Sequence, residues 1–152
     1  MKKFVKSMLG VTLLEVMLVL AIAAMIIVMS VRYYQSANAS QQVNTVIGQI
    51  TSVVAASDSL AQATGSYLAA GLNTAKVQAL VPSGSMMAPW GGAITINGAA
   101  TANTFKIKVA SMPANVCPLV ASKLGANNHF TITSGACAAA AADMDITYTA
   151  NP

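Results

Sequence analysis

The chain has 152 residues, the length of one domain with one modest core. It is 55% hydrophobic but only 8% charged, against about 25% charged in an ordinary soluble domain, which excludes a chain that keeps every face in water as a monomer. Lys2, Lys3 and Lys6 supply three of the charges behind the net +4; without them the chain is nearly neutral, and no basic groove for nucleic acid is expected.

The stretch Val16–Met29 is wholly apolar, and Val11–Val31 is broken only by Thr12, Glu15 and Ser30. That is close to the ~20 residues needed to cross a bilayer. Three lysines precede it and Arg32 follows, so the positive-inside rule places the N-terminus in the cytoplasm and the body outside. Met17, Met25 and Met29 within it read as adaptable apolar fillers. Cys117 and Cys137, with no CxxC and no histidine at zinc-finger spacing, read as a disulfide, which fits an oxidising compartment.

Glu15 is the anomaly, because an acidic residue in an apolar span costs about 2.5–3.5 kcal/mol at the helix centre and less near the interface. Two readings stand. Glu15 solvates its carboxylate at the headgroup level, or it meets a cation that the helix itself does not contain. A cut between Gly10 and Val11 would create one, an α-amino group four residues before Glu15.

The basic leader, Gly10, then Val11-Thr12-Leu13-Leu14-Glu15-Val16 and an unbroken apolar run resemble the class III signal of type IV pilins and related pseudopilins. The resemblance implies a leader over residues 1–10, an assembly and transmembrane segment over 11–31 and a periplasmic head over 32–152. It implies that a prepilin peptidase cuts after Gly10 and methylates Val11, and that Glu15 neutralises the N-terminal amine of a neighbouring subunit. Its implied partners are further copies of the chain, the prepilin peptidase, the inner-membrane pilus assembly machinery and, before assembly, membrane lipid. Val11 where many pilins have phenylalanine, the ten-residue leader and Tyr33-Tyr34-Gln35-Ser36-Ala37 resemble the type IVb group. Family helices often carry a proline where this chain has Arg32. A different cut is offered by Ala37-Asn38-Ala39 before Ser40, an A-x-A pattern that would release a soluble periplasmic domain.

No proline occurs before Pro82, and Val43, Val46, Ile47, Ile50, Val53, Val54, Leu60 and Ala61 continue at helical intervals. The spacing predicts one helix from about Val11 to Ala63, apolar all round in its first half and amphipathic in its second. Gly48 within it is a soft point or a place of close packing. Residues 64–92 read as a long connection with a short helix over Thr74–Leu80. Ala93–Asn97, Thr104–Ala110, Phe130–Thr133 and Asp145–Ala150 read as four strands of an antiparallel sheet. Phe105, Ile107 and Val109 face the helix in this reading, and Lys106 and Lys108 face water. The fold class is α+β, with the second half of the long helix on the sheet, similar to the pilin head. Proline after Cys117 and glycine at 125 bracket a short helix. In the resembling family a C-terminal disulfide bounds a surface region called the D-region.

An enzyme finds no constellation here. The one histidine is His129, the acids besides Glu15 are Asp58, Asp143 and Asp145, and no nucleophile motif accompanies them. Asp143-x-Asp145 reads as a solvated pair rather than a calcium site, Trp90 as a loop anchor on the sheet, and residues 138–142 as a low-complexity turn or loop. No metal or cofactor is expected. The resemblance to type IV pilins implies the structural subunit of a type IV pilus, held in the inner membrane of a Gram-negative bacterium and then exported into a surface fibre for adhesion, aggregation, mating contact or motility. A minor pilin or type II secretion pseudopilin shares the same signal.

Overall fold

The computed structural model describes residues 12–151 apart from 69, 99–100, 102, 135–136 and 138–141. Helix α1 spans Leu13–Thr64, and the chain divides between Ala37 and Asn38 into two units. In the first, the described residues are helix throughout from Leu13 onward.

The second unit holds the C-terminal part of α1, helices α2 (Thr74–Gln78) and α3 (Cys117–Gly125), and strands β1 (Ile94–Gly98), β2 (Thr104–Met112), β3 (Phe130–Ser134) and β4 (Ala142–Thr149). The strands form one antiparallel sheet in the order β1-β2-β4-β3. Alternation along a strand sends every second side chain to one face. In register, Ile96 opposes Ile107, Ile107 opposes Ile146, and Ile146 opposes Ile132, which lays one isoleucine row across all four strands. Phe105, Ile107 and Val109 of β2 are buried while Lys106 is exposed, as the alternation predicts.

The apolar face of α1 comes from a 3–4 residue spacing: Val43, Val46, Ile50, Val53, Ser57 and Ala61 are buried. Val43, Val46, Ile50 and Val53 of this row share one core with Ile94, Ile96, Phe105, Ile107, Met144 and Ile146. This is the α+β arrangement expected, a long helix on a small antiparallel sheet. The buried Ser57 hydroxyl donates to the Val53 carbonyl at 2.8 Å, so it leaves no orphaned polar group.

Element ends differ from expectation for local reasons. Strand β2 runs on to Met112 through a bulge between Val109 and Met112, where Ser111 takes φ 53°. Strand β4 starts at Ala142, ahead of the expected Asp145, because β2 continues opposite it and Met112 pairs with Ala142. Residues 138–141 of the alanine-rich stretch lie outside the described residues. Helix α2 ends at Gln78; Asn73 caps its start, accepting from the Lys76 backbone N–H at 3.0 Å.

Trp90 anchors its loop: the indole Nε1 donates to the Ala110 carbonyl at 3.0 Å. Gly92 permits this approach, since a Cβ there would meet both the Ala110 oxygen and the indole nitrogen. Cys117 at the start of α3 is disulfide-bonded to Cys137, with Cα atoms 5.5 Å apart. Helix α3 is also tied to α1, where Lys123 Nζ donates to Asn44 Oδ1 at 2.7 Å.

Candidate assembly surface

Residues 13–31 of the first unit present an apolar cylinder. Leu13, Leu14, Met17, Leu18, Val19, Leu20, Ile22, Met25, Ile26, Ile27, Val28, Met29 and Val31 are all at least half exposed, and they lie on every side of α1 rather than along one seam. The segment is long and apolar enough to cross a membrane.

Its first turn explains how Glu15 is placed. Thr12 immediately precedes the helix, and its Oγ1 accepts the Glu15 backbone N–H at 3.3 Å, while its carbonyl accepts the same N–H at 2.9 Å. Thr-x-x-Glu is a capping-box spacing, and a carboxylate in the first turn also suits the positive end of the helix dipole. The carboxylate is therefore fixed to one turn of α1 on an otherwise apolar surface. Arg32 lies on the same helix about 25 Å further along, at 1.5 Å per residue, too far to reach it. Among the described residues the ion pair found is Lys108–Asp143, not one involving Glu15. Gly10 and Val11 lie outside the described residues, so the proposed processing site and its distance from Glu15 are not part of this geometry.

Ser30, the other polar residue of the cylinder, donates its hydroxyl to the Ile26 carbonyl at 2.8 Å. The group is satisfied inside the helix and leaves the outer surface apolar.

The polar chemistry of the second unit holds the head together. Asp143 bridges two partners: Oδ2 lies 2.9 Å from Lys108 Nζ, and Oδ1 accepts the Ser111 backbone N–H at 3.0 Å. The Ser111 hydrogen bond, then Lys108, holds the Asp143 carboxyl below its usual range, and Asp143 in turn raises Lys108. From this exposed position Asp143 braces the β2 bulge. His129 stacks on Tyr148 with ring centroids 5.8 Å apart, and its Nδ1 lies 2.8 Å from the Thr149 carbonyl, which calls for the tautomer that donates there. His129 lies in the turn immediately before β3.

Two features went unread in the sequence. Thr12 as a helix cap was detectable from the Thr-x-x-Glu spacing. Asp58, half-buried on α1, accepts from the Tyr67 hydroxyl at 2.7 Å, beside an aromatic group of Tyr67, Phe105, Tyr148 and Phe130. No linear signal marks that pairing, because the turn after α1 creates it.

The family described as PilS N terminal matches residues 40–151, well over half of the chain. No match was found among curated proteins or among solved structures. The matched residues make up nearly all of the second unit, whereas the signal-like pattern around Gly10 and Glu15 lies wholly before them, so the two observations are independent. The chain belongs to the PilS N-terminal family, a pilin-like family associated with type IV pili.

Proposed function

We propose that this chain is the structural subunit of a type IV pilus of the IVb-like group, made as a precursor in the inner membrane and built into a homopolymeric surface fibre. The carrying observation is residues 13–31 of α1, an apolar cylinder exposed on all sides with one carboxylate in its first turn. A helix apolar all round is stable only in lipid or among other apolar helices. Lipid holds it before assembly, and further copies of the chain surround it afterwards.

In this reading the prepilin peptidase removes residues 1–10 and methylates Val11, and the assembly machinery lifts the subunit out of the bilayer. Packing the helices together would strand one ammonium and one carboxylate per subunit in an apolar core. A buried charge without its partner is strongly destabilising. Pairing Glu15 with the Val11 amine of a neighbour therefore selects one axial stagger over the others. The protein is structural, and adhesion, aggregation, mating contact or motility belong to the fibre. The rival cut after Ala39 falls within continuous α1, at a residue buried in the head core, which favours processing at Gly10.

The test is mass spectrometry of the N-terminus of protein sheared from cell surfaces. Methylated Val11 in that fraction is the expected result. A chain starting at Ser40 and recovered only from the periplasm overturns the reading.

A further inference from the structure

We infer that Arg32, Tyr33 and Tyr34 form a headgroup belt that recognises the phospholipid surface and, with Glu15 at the opposite boundary, fixes the depth at which the unassembled subunit sits in the bilayer. The inference rests on the reading that α1 enters a membrane before assembly.

The lengths agree. Glu15 and Arg32 stand about 25 Å apart along α1 at 1.5 Å per residue, and a bilayer's hydrocarbon core is about 30 Å thick. Between them the side chains are apolar except Ser30, whose hydroxyl is bonded inside the helix. One charge thus falls at each face of the hydrocarbon, where a carboxylate or a guanidinium costs far less than at the centre.

The arrangement of the belt indicates what surrounds it. Tyr33 is 79% and Tyr34 72% exposed, although both are large residues with apolar rings. Three consecutive helical residues fan over about 200° of circumference at 100° per residue. A single partner helix would contact one narrow stripe, whereas a belt this wide suits a medium that surrounds the helix. Tyrosine, with an apolar ring and a polar tip, partitions to the headgroup level, and Arg32 supplies a cation for lipid phosphate.

The consequence is a defined starting state. Insertion at fixed depth keeps Glu15 solvated at the headgroups, so its need for a cationic partner arises only as the subunit leaves the bilayer.

The experiment uses the full chain in phosphatidylcholine–phosphatidylglycerol vesicles carrying doxyl-labelled lipids at shallow, middle or deep acyl positions. Tryptophan reporters are introduced as Tyr33→Trp or Met25→Trp, and quenching of Trp90 in the parent chain is subtracted. We expect the Tyr33→Trp reporter to be quenched most by the shallow label and the Met25→Trp reporter by the deep label. Adding Arg32→Ala, Tyr33→Ala and Tyr34→Ala to the Met25→Trp chain should shift its depth by about one helical turn, ~5 Å. An unshifted profile, or deep quenching of the Tyr33→Trp reporter, overturns the belt while leaving insertion intact. Absence of quenching at both reporters, with the chain extracted by alkaline carbonate, overturns the membrane reading beneath it as well.

Discussion

The Tyr67 hydroxyl donates to Asp58 Oδ1 at 2.7 Å, and this bond returns the chain leaving α1 to the helix it has just left. Tyr67 also stacks on the fully buried Phe105, with ring centroids 5.4 Å apart, so one side chain joins the end of α1 to the sheet.

Tyr67→Phe should destabilise the head by about 1.5 kcal/mol, the range for a hydrogen bond to a charged group at a half-buried site. Burial, followed by the Asp58 carboxylate, raises the Tyr67 pKa above its ordinary value. A raised folded value means that the unfolded tyrosine loses its proton first, so this contribution is intact below about pH 10 and declines as pH rises beyond it. Urea unfolding at pH 7 and pH 11 checks both statements: the gap between wild type and Tyr67→Phe should narrow at the higher pH.

Asp143→Asn should have the opposite signature. The folded carboxyl is held low by the Ser111 N–H and then by Lys108, so its contribution is present above the unfolded value near 3.8 and is lost as pH falls through the lower folded value. Asp143 and Lys108 are both solvent-exposed, and the effect is small. Melting temperatures should differ between wild type and variant at pH 7 and draw together as acidification below 3.8 protonates the folded carboxyl.

Cys117→Ser with Cys137→Ser should cost roughly 3 kcal/mol, as expected for a crosslink spanning about 20 residues. Denaturation with and without reductant reads it. Reductant should bring wild type close to the double variant and leave the variant unchanged.

Gly48→Ala should stabilise the head by about 0.5–1 kcal/mol, since a helix-interior glycine is disfavoured to that extent and an added Cβ meets nothing within 4 Å. A higher melting temperature accompanied by loss of fibres would assign Gly48 to close packing between subunits.

If Glu15 pairs with a neighbouring copy as proposed, Glu15→Ala should be processed and inserted but fail to assemble. Gly10→Asp should accumulate uncut precursor. Immunoblots of membrane and sheared-surface fractions separate the two. Wild-type fibres from Glu15→Ala would remove charge pairing from the mechanism.

Periodicity made much of this fold legible. Valines and isoleucines at 3–4 residue intervals predict the buried face of α1, and Phe105, Ile107 and Val109 alternating with lysines predict the face of β2. Trp90 as an anchor could be named, though its acceptor at Ala110 could not. The Ser111 bulge was hidden because a serine at positive φ leaves no mark in composition, and the order β1-β2-β4-β3 because strand alternation does not reveal neighbours. The Asp58–Tyr67 pair depends on a turn whose path is set by the core. At the candidate assembly surface the apolar segment and Glu15 are conspicuous in the sequence, and the Thr12 cap is legible there too from its Thr-x-x-Glu spacing.

The outer edge of β1 also limits how copies of the head can meet. The Thr74 hydroxyl donates to the Ile96 carbonyl at 3.0 Å and accepts the Ile96 N–H at 2.9 Å, while the Ile94 N–H is taken by the Met86 carbonyl at 2.8 Å. An incoming strand needs those same groups free. With them already occupied, β1 cannot template a continuous sheet from one molecule to the next, and runaway edge-to-edge aggregation is closed off on that side of the head.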